Sequence, residues 1–403
     1  MLYTKNEVLQ YVTEEDVKFI RLAFCDVKGC QKNISIMPGE LERAFDTGIG
    51  IDASAIDGFG GNVHSDLFLR PDPSTLVVLP WRPDHGRVVR MFCEIMKPDG
   101  SHFELDSRRI LKSAVKQAMT DGLSFSFGSE LEFYLFKTDD EGKRTSEPYD
   151  NAGYMDIAPM DKGENVRREI CLTLERMGIY PESSHHEEGP GQNEIDFKFS
   201  DPVTAADNAV TFLSVVKTIA ARSGLYADFS PKPLGGKPGN SFHINISAES
   251  LSGGGDITSF AIAGILNRIS DMTAFLNTSD SSYERLGKFK APRFITWSRE
   301  NRSQLIRIPA ASGKYKRFEL RSPDPLANPY LAYALIISAA AEGIKAKEEL
   351  KPETDLNIFT LSEEEQKKYE KIPESKAAAA SAAKGSEFIK KILPEAMIKY
   401  YCD

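Results

Sequence analysis

Between residues 127 and 321 the chain repeats one pattern four times, and that repeat limits what it can fold into. In FGSELEFYLF (127–136) two glutamates interrupt an apolar, strand-like run. Side chains two apart on a strand point to the same side. Glu130, Glu132 and Tyr134 therefore share one face, and Leu131, Phe133 and Leu135 the other. In GQNEIDFKF (191–199), Gln192, Glu194, Asp196 and Lys198 oppose Asn193, Ile195, Phe197 and Phe199. In SFHINIS (241–247), His243, Asn245 and Ser247 oppose Phe242, Ile244 and Ile246. In KRFELRSP (316–323), Arg317, Glu319 and Arg321 oppose Phe318 and Leu320. One such strand reads as a half-buried antiparallel strand with a wet outer face. Four of them point to a sheet with one face in the core and the other lining a charged cavity.

Carboxylates set side by side raise each other's pKa and cost stability unless a positive charge sits between them. The polar face offers Glu130, Glu132, Glu194 and Glu319 with one imidazole, His243, and Glu187 follows His185 and His186 in SSHHEEGPG, a strand end or loop. Five carboxylates and one histidine suit two hard divalent cations, Mg²⁺ or Mn²⁺. Zinc would want more His or Cys. The same face, with NRSQLIRIP nearby, supplies Arg302, Arg307, Arg317 and Arg321. Guanidinium forks bind phosphate and carboxylate bidentately. Metal sites beside an arginine cluster are what phosphoryl transfer needs. GGKP and LGKF lack the spacing and hydroxyl of a phosphate loop, so a nucleotide would be held by the sheet itself.

With 403 residues the chain is long enough for two domains. A net charge of −9 and a pI near 5.4 argue against a general nucleic-acid or membrane-surface binder. Cys25, Cys30, Cys93, Cys171 and Cys402 form no CxxC pair and no zinc spacing, which fits a reducing cytoplasm. The N-terminus is charged from Lys5 onward, unlike a secretory signal, and no apolar run is long enough for a transmembrane helix.

Along the chain, VKFIRLAFCDVKGCQKNI reads as two strands around a turn, PGELERAFDTG as a helix closed by Gly48, and GIDASAIDGFGG as a loop. STLVVLPW and RVVRMFCEIM read as strands, and DSRRILKSAVKQAM as a capped helix. A domain boundary is expected near residue 104, giving an N-terminal domain over 1–104 and a second over 105–403. Beyond it, RREICLTLERMG and DPVTAADNAVTFLSVVKTIAARSG read as helices, the latter with Pro202 near its start. FAIAGILNRISDMTAFLN and NPYLAYALIISAAAEGIKAKEEL are apolar enough to be buried helices, and AAAASAAK near residue 380 is helical.

The chain resembles the glutamine synthetase family, type I-like, of bacteria and archaea. The motifs that carry the resemblance are DASAIDGF, GSELEFYLF, GYMDIAP, HHEEGPGQNEID, KPLGGKPGNSFHINIS, NRSQLIRIP and RFELRSPDPLANPYLAYA, in order from about residue 15 to 395. The resemblance implies an α+β fold. An N-terminal β-grasp domain would precede a catalytic domain with a curved antiparallel sheet and flanking helices, an architecture shared with guanidino kinases. It implies that ATP phosphorylates the γ-carboxylate of glutamate and that ammonia then displaces the phosphate. Carried over by motif, Glu132, Glu187 and Glu194 resemble ligands of one metal, and Glu130, His243 and Glu319 ligands of the other. Glu182 and Ser247 match nucleotide-contacting positions, and Arg302, Arg307 and Arg317 the phosphate-binding arginines. Arg285 and Arg321 match residues that hold the substrate carboxylate, and Gly239 a substrate-binding position. Asp52 matches an aspartate that helps bind ammonium, delivered from a neighbouring subunit, which implies a homo-oligomeric ring, a hexamer or dodecamer. The short C-terminus, EAMIKYYCD, makes the single ring a firmer expectation than the stacking of two.

The departures from the family cluster on the acceptor side. Lys290, in KFKAP, stands where the family's flap carries the glutamate of GYEAP. At about 4 Å and an effective dielectric of ~20 one such charge is worth roughly 4 kcal/mol, enough to repel ammonium. The other reading is a solvated flap with Lys290 turned away, pairing with Glu284. Pro238 and Asn245 replace an asparagine and a histidine of the family, and Ala53 and Ala55 a glycine and a serine. Phe359 stands where some relatives carry an adenylylated tyrosine, so regulation by that route is not expected. Four readings follow: a glutamine synthetase proper, a γ-glutamyl ligase using another amine, a silent homologue, and a guanidino kinase. The complete metal set disfavours the third; the DASAIDGF and HHEEGPGQNE segments disfavour the fourth.

Overall fold

A computed structural model describes residues 3–61, 63–82, 85–253, 255–311 and 313–403; Met1 and Leu2, at the start of the segment read as a charged N-terminus, lie outside them. The first part of the chain builds one six-stranded sheet. Its strands are β1 (Val17–Cys25), β2 (Gln31–Ile36), β3 (Ile49–Asp52), β4 (Asp66–Pro71), β5 (Val77–Val78) and β6 (Arg87–Met96). They run in the order β2-β1-β6-β4-β3, with β5 beside β6, and β1 and β6 are parallel. Helices α1 (Lys5–Glu14) and α2 (Leu41–Asp46) pack Val8, Val12, Leu41 and Ala44 into its core. Two readings need correction here. GIDASAIDGFGG opens as strand β3 before its loop, and STLVVLPW keeps only the two residues of β5, because Pro73–Thr75 turns into a 3-10 helix capped by Asp72.

The second part alternates helices with a nine-stranded sheet. In chain order it contains α3 (Ser107–Thr120), β7 (Leu123–Thr138), β8 (Arg144–Pro148), α4 (Glu164–Arg176), β9 (Pro181–His186), β10 (Gln192–Ser200), α5 (Pro202–Arg222), β11 (Leu225–Asp228) and β12 (Phe242–Ser250). Then follow α6 (Thr258–Leu276), α7 (Asp280–Arg285), β13 (Trp297–Arg299), β14 (Ile306–Ile308), β15 (Phe318–Leu320) and α8 (Pro329–Ala346). The strand order is β13-β14-β15-β12-β7-β10-β9, with β8 and β11 also paired to β7. Only β13 and β14 are parallel among these pairs.

The apolar face of this sheet is dry. Phe127, Phe133, Ile195, Phe242, Ile244, Ile246 and Leu320 are buried, with Phe133 against Phe212 of α5 and Phe127 and Phe242 against Tyr333 of α8. The Phe127 ring stacks on Tyr333 of α8 at 4.3 Å, and Ser129 and Tyr333 share a hydroxyl hydrogen bond of 2.7 Å. Phe199, read as part of this face, is 47% exposed, because a bulge between Phe197 and Ser200 breaks the alternation. Helices α6 and α8 cross where Gly264 meets Gly343; a Cβ on Gly264 would come within 2.2 Å of the Ala339 carbonyl oxygen. A buried cluster ties the two parts of the chain together. Arg108 on α3 binds Asp207 of α5 at 2.9 Å and Asp72 at 3.0 Å, and Tyr330 of α8 donates to Asp207 at 2.7 Å. No helix among the described residues is long and apolar enough to cross a membrane.

Candidate active site

The register of the large sheet decides which polar side chains meet. Glu194 on β10 stands opposite Glu132 on one side and His185 of β9 on the other. Glu130 on β7 stands between Asp196 of β10 and His243 of β12. Asn245 faces Glu319 of β15, which faces Arg307 of β14. The polar face is thus a set of cross-strand rows running from acid-rich to arginine-rich. It floors a cleft of about 490 Å³ walled by residues of the 187–194 turn, the 238–241 segment and the 288–291 loop.

Ligand atoms of Glu130, His243 and Glu319 lie within 4.8 Å of one another, close enough to hold one metal ion. The first set is partitioned differently. Glu132 and Glu194 group with His243, and Glu187 and Glu194 with His185, so Glu194 is the hinge between the groups. His185 and Asp196 join the clusters although the motif match had not put them there. Their signal was present in the alternation, since Asp196 follows Glu194 by two and His185 precedes Glu187 by two.

The fit to a cation rests on the donors themselves. Burial, then the Glu132 charge, pushes Glu187 up to about 7. Burial, then Glu130, pushes Asp196 up to about 8, and burial with Asp196 and Glu132 nearby pushes Glu194 well above its ordinary range. All three therefore favour the protonated form more than a free carboxyl does. His243 Nε2 is buried with no hydrogen-bond partner among the described residues. At the other end burial alone would raise Glu319, but Arg321, His243 and Arg307 hold it down at about 2. Arg307 donates to it at 2.8 Å, and Arg321 pairs with its other oxygen.

The acidic wall is fixed from behind. Glu132 accepts the Ser241 N–H at 2.7 Å and a Gln192 amide N–H at 3.2 Å. Gln192 also reaches the Gly239 carbonyl at 3.1 Å. His186 Nδ1 lies 2.6 Å from the Glu187 carbonyl and Nε2 lies 2.9 Å from Asp150. Both neighbours are acceptors, so this pair of contacts favours the charged ring. Burial alone would lower its pKa, but Asp150 outweighs that and raises it. Asp150 also accepts the Gly191 N–H at 2.9 Å, closing the turn that carries Glu187. A Cβ on Gly189 in that turn would fall 1.9 Å from the Tyr134 hydroxyl.

Arg302, Arg307, Arg317, Arg321 and Gly239 all line the cleft. A Cβ on Gly239 would lie 2.2 Å from the Pro231 carbonyl oxygen, so only glycine fits. Glu182 and Ser247 line an adjoining chamber of about 270 Å³, which shares Glu130, Asp196 and Arg317 with the main cleft. Arg317 stands at the junction, its Nε donating to Asn245 at 2.8 Å.

Two residues fall elsewhere. Arg285 does not line the cleft. It is 1% exposed, and its guanidinium donates to the carbonyls of Arg321, Ser322 and Pro323 and to Ser241 Oγ. It lies beneath Gly239 and braces that wall. Asp52, at the end of β3, is exposed, accepts the Ser54 N–H at 2.9 Å and is not part of its own chain's cleft. Lys290 lines the rim of the cleft, is exposed as the solvated-flap reading expects, and pairs with Glu188 rather than with Glu284.

Comparison with known proteins agrees with this geometry. The family model of the glutamine synthetase catalytic domain matches residues 104–403, and that of the glutamine synthetase β-grasp domain matches residues 16–98. Glutamine synthetase of Clostridium saccharobutylicum is 44% identical over 405 residues, covering 97% of this chain and 91% of its own length. Glutamine synthetase of Methanosarcina mazei is 44% identical over 414 residues, covering 99% and 92%. The solved structure of a GmaS/ADP complex superposes with a TM-score of 0.88 at 28% identity, covering 98% of this chain and 94% of that one. Plasmodium falciparum glutamine synthetase shares the fold, with a TM-score of 0.86 at 24% identity, covering 99% and 94%. The two matched domains, the relatives across nearly the whole chain and the acid-and-arginine cleft converge: this chain belongs to the glutamine synthetase family.

Proposed function

We propose that the chain is an ATP-dependent ligase that forms glutamine from glutamate and ammonia. The observation that carries this reading is a cleft lined by six carboxylates and His243 beside four arginines, in a chain 44% identical to glutamine synthetases. The γ-carboxylate of glutamate attacks the terminal phosphorus of ATP and ADP leaves. Ammonia then attacks the acyl carbon, phosphate leaves, and one proton is lost. The relatives favour ammonia over another amine as acceptor.

Each assignment has its support. Glu130, His243 and Glu319 would hold one divalent cation, and Glu194 with Glu132 and Glu187 a second, with His185 within reach. Mg²⁺ or Mn²⁺ fits this oxygen-rich set, and when bound supplies charge neutralisation of the phosphate oxygens. Arg302, Arg307 and Arg317 would hold the phosphates, and Glu182 and Ser247 the nucleotide in the adjoining chamber. Arg321 and Gly239 would orient the substrate amino acid. The exposure of Asp52 suits delivery into a neighbouring subunit's cleft, and so a homo-oligomeric ring, a hexamer or dodecamer. We place the domain division near residue 104, between the two matched segments. The five cysteines, all free thiols, suit the cytoplasm.

The test is phosphate release from ATP with Mg²⁺ and glutamate, with and without ammonium, alongside detection of glutamine. Ammonium-dependent release with matching glutamine is the expected result. Release only with another primary amine would overturn the ammonia assignment.

A further inference from the structure

A second cavity, of about 800 Å³, lies between the two parts of the chain and shares no lining residue with the acid-and-arginine cleft. It is lined from β5 and β6 of the first part and from α3, the end of α4 and the start of α5 of the second. Arg90 of β6 lines it and is 6% exposed. Arg90 Nη2 donates to Thr211 Oγ1 at 3.3 Å, and Nη1 is buried with no hydrogen-bond partner among the described residues. The guanidinium lies 4.0 Å from the centre of the Phe92 ring. Phe92 and Thr211 line the same cavity, so the guanidinium stands in its wall. A buried arginine is normally paired with a carboxylate. Here the carboxylates nearby are already taken. Asp207 accepts from Arg108 at 2.9 Å and from Tyr330 at 2.7 Å, and Asp72 is held by Arg108 and Lys112. Burial pulls Arg90 down to about 10, against the opposing pull of Asp207.

We propose that this cavity binds a monocarboxylate with an apolar body, its carboxylate on Arg90. The charge of the lining sets the class. Arg90, Arg108, Lys112 and Arg176 stand against Asp72, Asp201 and Asp207, and four less three leaves one positive charge. One carboxylate balances that excess and supplies the acceptor that Arg90 lacks. A phosphate dianion would bring a second charge towards Asp72 and Asp207 with nothing to offset it. The rest of the wall is largely apolar, with Leu76, Val78, Met177, Ile179 and Val203 placed to cover a hydrocarbon or aromatic body. The occupant touches both parts of the chain and none of the groups assigned to phosphoryl transfer.

Phenylacetate is the probe, titrated into the full chain and read by saturation-transfer NMR, with acetate, benzyl alcohol and inorganic phosphate alongside. Saturable phenylacetate binding with a Kd on the order of millimolar or tighter is expected. Acetate lacks the body and benzyl alcohol the charge, so each should bind at least about tenfold more weakly. Arg90→Met should weaken phenylacetate by a similar factor. Asn208 of α5 lines the cavity and is half-buried, and Asn208→Trp should fill the space and abolish binding while leaving Arg90 in place. That variant keeps the test open if Arg90→Met does not fold. It also alters no residue of the arginine-lined cleft, so loss of binding in it separates this cavity from Arg307 and Arg321. Phenylacetate binding that persists in Asn208→Trp, the absence of saturable binding, or phosphate displacing the probe as well as phenylacetate itself does, overturns the proposal.

Discussion

The two ends of the polar face handle charge in opposite ways. At the β12–β15–β14 end Glu319 sits between Arg321 and Arg307 and stays ionised, with its pKa near 2. At the β7–β10–β9 end Glu187, Glu194 and Asp196 crowd together without a cation of their own, and all three are pushed upward. One end carries its counter-charges in the sequence. The other carries its carboxylates without such partners. Buried like charges are costly unless compensated, so the unbalanced end marks where a divalent metal would bind, and the balanced end where arginines already hold charge for phosphate.

The contrast can be broken by substitutions of the same kind at the two ends. Glu194→Gln, at the junction of the acidic clusters, should cost about a thousandfold or more in activity, since several kcal/mol of charge stabilisation are at stake. In the chelator-treated protein the same change should raise stability, because it relieves repulsion; denaturant melts decide it. Glu319→Gln should lower stability by about 3–5 kcal/mol, because it leaves Arg321 and Arg307 buried without their counter-charge. If both variants moved metal-free stability in the same direction, the contrast between the ends would be wrong.

Behind the acidic end, His186→Ala should weaken divalent-cation affinity about 10–100-fold by freeing the turn that carries Glu187, read by isothermal titration. Stability against pH should also separate the ends. The folded, metal-free chain holds more protons at Glu187 and Asp196 than the unfolded chain does between about pH 4.5 and 8, so its stability falls as pH rises across that range. Glu319 works the other way. Its contribution is present above the unfolded value near 4.5 and is lost as pH falls towards 2. Melts with and without Mg²⁺ at pH 5 and 8 check the first part: the cation should stabilise more at pH 8.

The strand alternation was enough to put Glu130, Glu132, Glu194, His243 and Glu319 on one face, because a period of two is read directly from the residues. It could not show register. Which carboxylates meet depends on how β10 slides against β7 and β9, and that register brings Asp196 to Glu130 and His185 to Glu194. The roles of arginines were less legible. Arg285 and Arg321 stand in similar polar surroundings in the sequence, yet the first spends its donors on backbone carbonyls and the second opens on the cleft. Residue type gives the number of donors, not their direction. Glu188 lies in a quoted motif, but its pairing with Lys290, far along the chain, is a contact that no local pattern shows.

The most direct test of the unbalanced end is the proton count on metal binding. Mg²⁺ or Mn²⁺ titrated into the chelator-treated protein at pH 7, in buffers of different ionisation enthalpy, reports protons released per cation bound. With Glu187 near 7, Asp196 near 8 and Glu194 raised, saturation should release about one to two protons per chain, and Glu194→Gln should reduce that number. Binding with no proton release would mean that these carboxyls are already ionised and that the acidic end is not waiting for a cation.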